Sequence, residues 1–418
     1  MKLSNDSGEG LENSKNFQKI YLDNSATTMV DKEVAKAMQP YFTKIYGNAS
    51  SLHQFGQEAK RALEQSREII AKSINADPKE IIFTSGGTES DNLAIKGIAY
   101  ANKEKGNHII TTKIEHHAVE HTCKSLEKEG FKITYLDVDK EGFINPDQLK
   151  KEITDKTILV TIIHGNNEIG AIQDIEPIGT ICKEHNIPLH IDAVQSFTKT
   201  EIDVKKQNIT LSSFSAHKLH GPKGIGALYI KKGTKLNKLI EGGAHEFNLR
   251  PGTENIPGIV GFAKAVEIAK QEDCKKIAEL RDYFIEKVLK EIPETKLNGP
   301  TKDRLCNNIN ITFKFIEGEA LLIKLDDKGI AVSTGSACSS KDLRPSHVLT
   351  AIGLHPAVAH GSIRFTLSKY TTKEELDYTL THLKKAVKEL RELSPLWGQS
   401  EEELTKAAYE DDHEHEGE

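Results

Sequence analysis

Residues 213–224 read SFSAHKLHGPKG and lie between two strand-like stretches, residues 209–215 and residues 225–230. So short a connection cannot hold a crossover helix, and we therefore expect these two strands to be antiparallel. Lys218 then lies at the tip of a strand, where α/β proteins commonly place reactive groups. A lysine amine in this position can form a Schiff base with a carbonyl compound. A lone lysine beside a Gly-Pro turn is more often an ordinary surface residue, so the functional interpretation depends on partners elsewhere in the chain.

The overall composition is that of a globular protein with a mildly acidic charge. The chain has 418 residues, with 56 basic and 62 acidic side chains and a net charge of −6; its mean hydropathy is −0.47. No basic patch dominates and no apolar run approaches membrane-spanning length, so we expect neither a nucleic-acid partner nor a membrane span. The five cysteines are scattered and odd in number, which fits no disulfide framework and favours a reducing, cytoplasmic location.

Short β-rich runs alternate with helical patterns from Ile81 onward, which predicts a mainly parallel sheet covered by helices. The expected strands of this part are residues 81–84, 108–111, 132–136, 158–163, 188–192 and 209–215. The expected helices are residues 32–45, 57–74, 89–103, 118–129 and 175–185. We place a large domain at residues 30–265 and a smaller α/β domain at residues 20–29 and 266–397.

Both ends of the chain differ in composition from these two domains. Residues 1–19 are rich in Asn, Ser, Glu and Lys, which predicts a disordered extension rather than a signal or transit peptide. Residues 398–418 form an acidic tail that contains the run DDHEHE at residues 411–416. Its alternating His and Glu resemble metal ligands, but without a second ligand cluster a solvated, disordered tail is the better interpretation.

Residues 84–92 read TSGGTESDN and join a predicted strand to a predicted helix. Gly86 and Gly87 allow the backbone to approach an anion closely, and the helix N-terminus adds free N–H groups and a positive dipole end. Thr88 supplies a hydroxyl beside them, so the turn is suited to a phosphate group. An ordinary N-capped strand-to-helix turn explains the same residues about as well.

Further polar groups follow predicted strands, and together they match the needs of pyridoxal phosphate. Asp192 can keep a pyridine nitrogen protonated so that the ring acts as an electron sink, and Gln195 is a neutral donor suited to a phenolic oxygen. His116 can stack on the ring and exchange protons with a substrate. Asn167 can bond to the phenolic oxygen or to a substrate carboxylate. Taken singly, a salt-bridged Asp, a solvent-facing His pair and a Gly-Asn turn are simpler explanations.

The smaller domain adds a cysteine and an arginine. Cys338 lies among small residues in the run TGSACSSK at residues 334–341, which predicts an exposed mobile loop. Its thiol can act as a nucleophile if a neighbour lowers the pKa from about 8.5, and an inert packing cysteine explains this run equally well. Arg364 lies in an apolar strand and either pairs internally or holds the carboxylate of an amino-acid substrate. We expect structural roles for the remaining cysteines, which are Cys123, Cys182, Cys274 and Cys306.

Taken together, these motifs resemble the cysteine desulfurases of the NifS/IscS type, in the class V aminotransferase group of pyridoxal phosphate enzymes. The matching stretches occur in the family's order, cover residues 20–397 and include YLDNSATT, EHHAV, RPGTEN and STGSACSS. The resemblance is specific because the Lys218 run and the S-x-G-S-A-C-S run occur together. It implies a homodimer of fold type I, with a mainly parallel, seven-stranded-type sheet in the large domain.

The resemblance also implies a role for each candidate residue around the cofactor ring. Lys218 binds pyridoxal 5'-phosphate covalently, and Asp192 pairs with the pyridinium nitrogen. His116 lies over the ring and handles protons, while Gln195 and Asn167 face the phenolic oxygen. The residues that hold the phosphate are Gly87, Thr88, Ser215, His217 and, from the neighbouring subunit, Thr253.

The implied reaction converts L-cysteine to L-alanine and transfers the sulfur to Cys338 as a persulfide. Arg364 and Asn167 hold the substrate carboxylate, and a protein such as an iron–sulfur scaffold accepts the sulfur for cluster assembly or another thio-cofactor pathway. No resident metal is expected, since any iron–sulfur contact at Cys338 is transient. The alternatives are another class V aminotransferase or a selenocysteine lyase, which need Lys218 and Asp192 but not Cys338, and a non-catalytic protein with the same fold.

The chain departs from the family pattern in two places. The segment EGGAHEFNLR at residues 241–250 is less uniform than the usual glycine-rich run, which concerns a loop and not the catalytic residues. The run SPLW at residues 394–397 is kept, but an unrelated acidic sequence follows it. The scaffold contact made by the family's C-terminal stretch is therefore not carried over to this chain.

Overall fold

The computed structural model describes residues 19–334, 345–395 and 397. The strands in these ranges are β1 (Ile20–Tyr21), β2 (Ile81–Thr84), β3 (His108–Thr112), β4 (Lys132–Leu136), β5 (Thr157–Ile163), β6 (Leu189–Asp192), β7 (Leu211–Ser215), β8 (Gly226–Ile230), β9 (Thr295–Leu297), β10 (Asn308–Phe313), β11 (Ile330–Ala331) and β12 (Ser362–Thr366). The helices are α1 (Lys32–Met38), α2 (Pro40–Thr43), α3 (Gln54–Ser73), α4 (Gly87–Asn102), α5 (His117–Lys128), α6 (Pro146–Glu152), α7 (Ile175–Glu184), α8 (Ile256–Ile268), α9 (Gln271–Glu291), α10 (Gly318–Asp326), α11 (His347–Ala351), α12 (Pro356–Ala359) and α13 (Lys373–Leu393).

A seven-stranded sheet in the order β2-β8-β7-β6-β5-β3-β4 forms the centre of the larger part of the molecule. The strands from β7 to β4 are parallel to one another, and β8 pairs antiparallel with both β7 and β2. The predicted mainly parallel sheet and the predicted antiparallel pair around Lys218 are therefore confirmed. Because the carboxyl ends of parallel strands share one edge, the segments that follow β5, β6 and β7 meet there.

Burial on both faces explains why the central strand β5 is largely apolar. All seven residues of β5 are buried, as expected for a strand of a parallel sheet covered on both sides. Val160 and Ile162 face a core shared with α3, α7 and α8, whereas Leu159 faces a core shared with α4 and α5. The helices on each side thus fix the sheet and leave its carboxyl edge open for function.

A second, three-stranded antiparallel sheet in the order β12-β10-β9 has its own core. Its apolar residues include Phe284, Phe313 and Phe365, packed with α9 and α13. The start of the chain joins this part, since β1 pairs in parallel with β11 and Ile20 belongs to the same core. The domain limits drawn from the sequence remain a prediction.

Local sequence signals account for the differences between predicted and observed elements. The single helix predicted at residues 32–45 is wrong, because α1 ends at Met38 and Pro40 starts a separate short helix. Proline lacks the N–H that a continuing helix requires. The short helices α6 and α12 and the strand β9 were not predicted. Across the described ranges, no helix combines the length and the apolarity needed to cross a bilayer.

Candidate active site

Lys218 lies directly after β7, at the end of a short 3-10 turn. Its Nζ donates hydrogen bonds to the backbone carbonyls of Ser25 and Ala26, at 2.5 and 2.9 Å. Thr28 holds the same loop in place, because its hydroxyl donates to the carbonyl oxygen of His217 at 2.9 Å. The YLDNSATT segment therefore closes over the lysine amine, which explains why the two motifs occur in one chain.

Two buried carboxylates and an imidazole lie close together near the carboxyl end of β6. One side-chain nitrogen or carboxylate oxygen from each of Asp91, His116 and Asp192 lies within 4.8 Å of the corresponding atoms of the other two. Asp192 is the last residue of β6, and its Oδ1 accepts a hydrogen bond from the N–H of Val194 at 3.0 Å. Burial raises the pKa of Asp192, and burial with the neighbouring charge of Asp192 raises the pKa of Asp91. A positively charged group beside these carboxylates would favour their ionised forms.

His116 is neutral at pH 7 and has a defined hydrogen position. It is the N-cap of α5, and its Nδ1 accepts a hydrogen bond from the N–H of Ala118 at 3.1 Å. Burial, and after it the positive charge of Lys218, lowers the pKa of His116 to about 4. Since Nδ1 is an acceptor, the ring hydrogen is on Nε2, and that nitrogen is the atom able to transfer a proton.

The N-terminus of α4 and the end of β7 lie against each other. A Cβ on Gly87 would come within 2.6 Å of Cγ2 of Val194, and one on Gly86 would lie 3.8 Å from the hydroxyl of Ser215. Thr88 follows on the first turn of this 16-residue helix and is exposed. Helix N–H groups, the glycine turn and the Ser215 hydroxyl together form the kind of place where a phosphate binds.

Gln195 and His217 both contact the N-terminal loop. Nε2 of Gln195 donates one of its two hydrogens to the carbonyl of Ser25 at 2.9 Å, and its contact with a phenolic oxygen stays a prediction. Its Oε1 is buried without a hydrogen-bond partner. Nδ1 of His217 pairs with the hydroxyl of Thr27 at 3.2 Å, and burial lowers the pKa of His217 to about 4. A buried, unpaired amide oxygen marks a position where a further polar group is expected.

Arg364 connects three segments that are distant in sequence. It lies in the middle of β12, and its Nη2 donates to Oδ1 of Asp23 at 3.0 Å. Its Nη1 donates to the backbone carbonyl of Asn167 at 3.1 Å, while its Nε is buried without a hydrogen bond. Of the two alternatives left open by the sequence, the internal ion pair is therefore present, and the structure places Arg364 in contact with Asn167.

The remaining predicted residues divide into described and undescribed ones. Cys338 lies outside the described residues. Thr253 is exposed in the segment before α8, and its contribution to a neighbouring subunit remains a prediction. Cys123, Cys182 and Cys306 are buried, as expected of structural cysteines, whereas Cys274 is only partly buried.

The sequence analysis missed Asp91 and Lys199. Asp91 follows Gly87 by four positions in α4, so it lies on the same face as the start of that helix; this spacing was the available signal. Nζ of Lys199 donates to the backbone carbonyls of Gln195 at 2.7 Å and of Lys218 at 3.3 Å. It thereby ties the segment after β6 to the turn after β7, and burial lowers the pKa of this amine. No short motif predicts such a contact.

Comparisons with known proteins agree with this architecture. The profile of the family described as aminotransferase class-V matches residues 20–379. The cysteine desulfurase IscS of Dictyoglomus turgidum is 54% identical over 381 residues, which are 90% of this chain and 97% of that protein. The cysteine desulfurase IscS of Methanosarcina thermophila is 52% identical over 399 residues, covering 95% of this chain and 98% of that protein.

Two solved structures show the same similarity in three dimensions. A NifS-like protein aligns with a TM-score of 0.84 at 39% identity, covering 89% of this chain and 100% of that chain. The protein SspA, in complex with cysteine, aligns with a TM-score of 0.77 at 41% identity, covering 85% of this chain and 100% of that chain.

The fold and the site together define an enzyme that depends on pyridoxal phosphate. The buried carboxylate at the end of β6, the glycine turn at α4 and the amine of Lys218 after β7 fit this cofactor. The chain belongs to the aminotransferase class-V family and, within it, to the cysteine desulfurases of the IscS type.

Proposed function

We propose that this chain removes sulfur from L-cysteine, releases L-alanine, and holds the sulfur on Cys338 as a persulfide. The observation that carries the proposal is the convergence of Asp91, His116 and Asp192, whose polar atoms lie within 4.8 Å of one another. The turn that carries Lys218 lies beside Asp192, because it follows β7, which pairs in parallel with β6 up to Ser213 and Asp192. The IscS relatives favour desulfuration over the other reactions of the family.

Five of the residues that would hold the cofactor lie at the end of β6, at the end of β7 or just after it, and at the start of α4. Asp192 would hold its ring nitrogen in the protonated state, and Lys218 would bind it covalently. Gly87, Thr88 and Ser215 would hold its phosphate at the start of α4. When bound, pyridoxal phosphate supplies an electron-withdrawing ring that makes the α-proton of L-cysteine acidic and weakens its C–S bond.

Lys218 and His116 are the groups we assign to proton transfer. The amine of Lys218 accepts the α-proton of the substrate once substrate has taken its place. The carbonyls of Ser25 and Ala26 accept hydrogen bonds from this amine, so they orient it. His116 is neutral at pH 7 and carries its hydrogen on Nε2, which suits it to donate a proton and take one back.

Arg364 and Asn167 are the residues we assign to the substrate carboxylate. The guanidinium of Arg364 is held in place by Asp23 and by the backbone of Asn167, at 3.0 and 3.1 Å. Its buried Nε has no hydrogen bond and is a donor available to a carboxylate. A lysine at this position would lack that rigid fork of donors.

Sulfur transfer balances as a displacement at the substrate sulfur. The thiolate of Cys338 forms an S–S bond to that sulfur while the C–S bond of L-cysteine breaks. The proton lost by the Cys338 thiol is equivalent to the one that completes the methyl group of L-alanine. A thiol is mostly protonated at pH 7, so a proton acceptor is required. His116 is the residue we assign to that step, because its Nε2 can accept the thiol proton once it has donated its own hydrogen to the substrate.

The persulfide then passes its outer sulfur to a thiol of an acceptor protein. We propose that the enzyme acts as a homodimer in the reducing cytoplasm, with Thr253 of each chain contributing to the phosphate site of the other. An iron–sulfur scaffold is the acceptor class that the family resemblance suggests. The acidic sequence after residue 397 differs from the family's C-terminal stretch, so the scaffold contact of that stretch is not part of this proposal.

The decisive experiment replaces the sulfur-accepting thiol. Cys338→Ala is expected to keep the yellow colour of the bound cofactor but to lose formation of L-alanine and sulfide from L-cysteine. Mass spectrometry of the unmodified enzyme after L-cysteine addition should find one added sulfur on Cys338.

Cys274→Ser is the matched control, since Cys274 is the partly buried cysteine among the described residues. This variant should keep both the colour and the activity. Formation of L-alanine by Cys338→Ala at the rate of the unmodified enzyme would show that Cys338 does not accept the sulfur. If the purified, unmodified enzyme is colourless and inactive, the proposed role of the cofactor is wrong.

A further inference from the structure

Helix α5 presents two histidines and a glutamate within a single turn. His117, Glu120 and His121 have the spacing i, i+3 and i+4, which places all three side chains on one face of the helix. Nε2 of His117 lies 3.9 Å from Oε2 of Glu120, and Nε2 of His121 lies 4.0 Å from the same oxygen. The two imidazole rings are stacked, with centroids 5.0 Å apart and planes inclined by 21°.

We propose that these three side chains form a binding site for a divalent transition-metal ion of the Zn²⁺ class. Their ligand atoms all lie within 4.8 Å of one another. Two edges of this triangle measure 3.9 and 4.0 Å, and the third is no longer than 4.8 Å. An ion at its centre therefore lies at most about 2.5 Å from each corner, a few tenths of an ångström more than the 2.0–2.2 Å of Zn–N and Zn–O bonds. Small side-chain rotations would therefore complete the coordination without moving the helix.

The chemistry of the three donors suits such an ion. Imidazole nitrogens and a carboxylate oxygen are ligands that Zn²⁺ accepts, and a pair of histidines four positions apart can share one ion.

Neighbouring side chains hold the donors in this arrangement. Lys124 pairs with Oε1 of Glu120, which leaves Oε2 directed at the two histidines. His347 lies against the ring of His117, with centroids 5.2 Å apart, and its Nε2 lies 2.9 Å from the carbonyl oxygen of Glu115. Such outer contacts fix the orientation of ligands in metal sites.

The proposed site opens toward the catalytic groups. His117 and His121 line a cleft of about 350 Å³ together with Thr88, Asn92 and His116. Three protein ligands leave a fourth position for a small molecule, as in zinc sites that bind exchangeable groups. A thiolate or sulfide suits that position because both are strong zinc ligands. This site departs from our expectation of no resident metal, and it does not depend on the proposed desulfurase activity.

Equilibrium dialysis of the holoenzyme against Zn²⁺, with the metal counted by mass spectrometry, tests the proposal. We expect Glu120→Gln and His121→Asn each to lose one Zn²⁺ equivalent relative to the unmodified enzyme, or to bind it about tenfold or more weakly. Neither residue belongs to the groups assigned to catalysis, so the activity without added metal should be unchanged. Co²⁺ bound at the site should give visible absorption that both substitutions abolish.

The matched control is His185→Asn, because His185 is an exposed histidine at the end of α7 and far in sequence from α5. It should bind as much Zn²⁺ as the unmodified enzyme. The proposal is overturned if Glu120→Gln and His121→Asn retain the full number of equivalents, or if His185→Asn loses as much as they do. Circular dichroism and the cofactor absorbance establish that each variant is folded.

Discussion

The two larger sheets of the molecule carry clusters of buried polar groups that differ in character. Near the carboxyl edge of the seven-stranded sheet the buried groups are ionisable and have shifted pKa values, namely Asp91, Glu115, His116, His164 and Asp192. Oδ1 of Asp91 and Oε2 of Glu115 have no hydrogen bond. At the three-stranded sheet and the segment before it, a second cluster is neutral and hydrogen-bonded internally, namely Asn298, Asn310, Thr312 and Ser362. Arg364 of β12 is the charged exception in that sheet, and it pairs with Asp23.

This difference separates a binding site from a structural network. Nδ2 of Asn298 donates to Asn310 and to Thr312, both at 2.8 Å, and Thr312 pairs with Ser362 at 2.8 Å. A neutral network of this kind needs no ligand, because each buried group already has a partner. The buried carboxylates at the carboxyl edge of the seven-stranded sheet are costly to ionise unless a positively charged group binds beside them. We therefore expect substitutions at the first edge to change activity and those in the second network to change stability.

The largest effect is expected for Asp192→Asn. The amide has the same shape but carries no charge, so it cannot keep the ring nitrogen of the cofactor protonated. Loss of one buried charge-assisted hydrogen bond in the transition state is worth 1.5–3 kcal/mol, and we expect kcat to fall by about 100-fold. Steady-state kinetics with L-cysteine measures this change.

The same variant separates catalysis from folding. Asp192→Asn removes a buried carboxylate whose pKa is raised. The free energy of unfolding should therefore stay unchanged or increase. A variant with full activity and a large loss of stability would reverse the contrast between the two sheets. Asp91→Asn is the matched control, because it removes the neighbouring buried charge and leaves the group assigned to the cofactor in place.

The second-largest effect is expected in the pH dependence of folding stability, and it comes from His164. Burial lowers the pKa of His164 to about 4, and its Nδ1 pairs with the hydroxyl of Ser196 at 3.0 Å. The unfolded chain binds a proton below pH 6.5 and the folded chain only below about pH 4, so stability falls as pH falls through this window. Between pH 7 and pH 5 this one group removes on the order of 2 kcal/mol.

Urea unfolding at pH 7 and pH 5 measures that contribution. His164→Asn, whose amide can replace the Nδ1 contact, should lose less stability between the two pH values than the unmodified enzyme. His185→Asn should leave the pH dependence as it is, since His185 is exposed. Equal pH dependence in all three proteins would mean that buried histidines at this edge do not set the acid sensitivity.

Sequence patterns predicted the parts of the site that follow strands. Asp192 was located because it ends a predicted strand and Lys218 because it follows one in a short turn, and the parallel order of β6 and β7 brings those strand ends together. The contacts of Lys218 with Ser25 and of Arg364 with Asp23 join residues 193 and 341 positions apart. Such contacts depend on how separate segments pack, which no local periodicity encodes. The His-x-x-Glu-His spacing at residues 117–121 was visible in the sequence but was not interpreted.

The smallest effect is expected for Asn298→Ala in the neutral network. The substitution removes the Nδ2 group that donates two hydrogen bonds of 2.8 Å. The buried oxygens of Asn310 and Thr312 therefore each lose a donor. A buried polar group left without a partner costs about 1–3 kcal/mol, and we expect a loss of about 1.5 kcal/mol in the free energy of unfolding.

Because neither Asn310 nor Thr312 is assigned to catalysis, kcat and the cofactor absorbance of Asn298→Ala should be unchanged at a temperature where the variant is folded. Urea unfolding and steady-state kinetics on the same sample test both halves. A large fall in kcat with unchanged stability would place functional groups in the neutral network and remove the contrast between the two clusters.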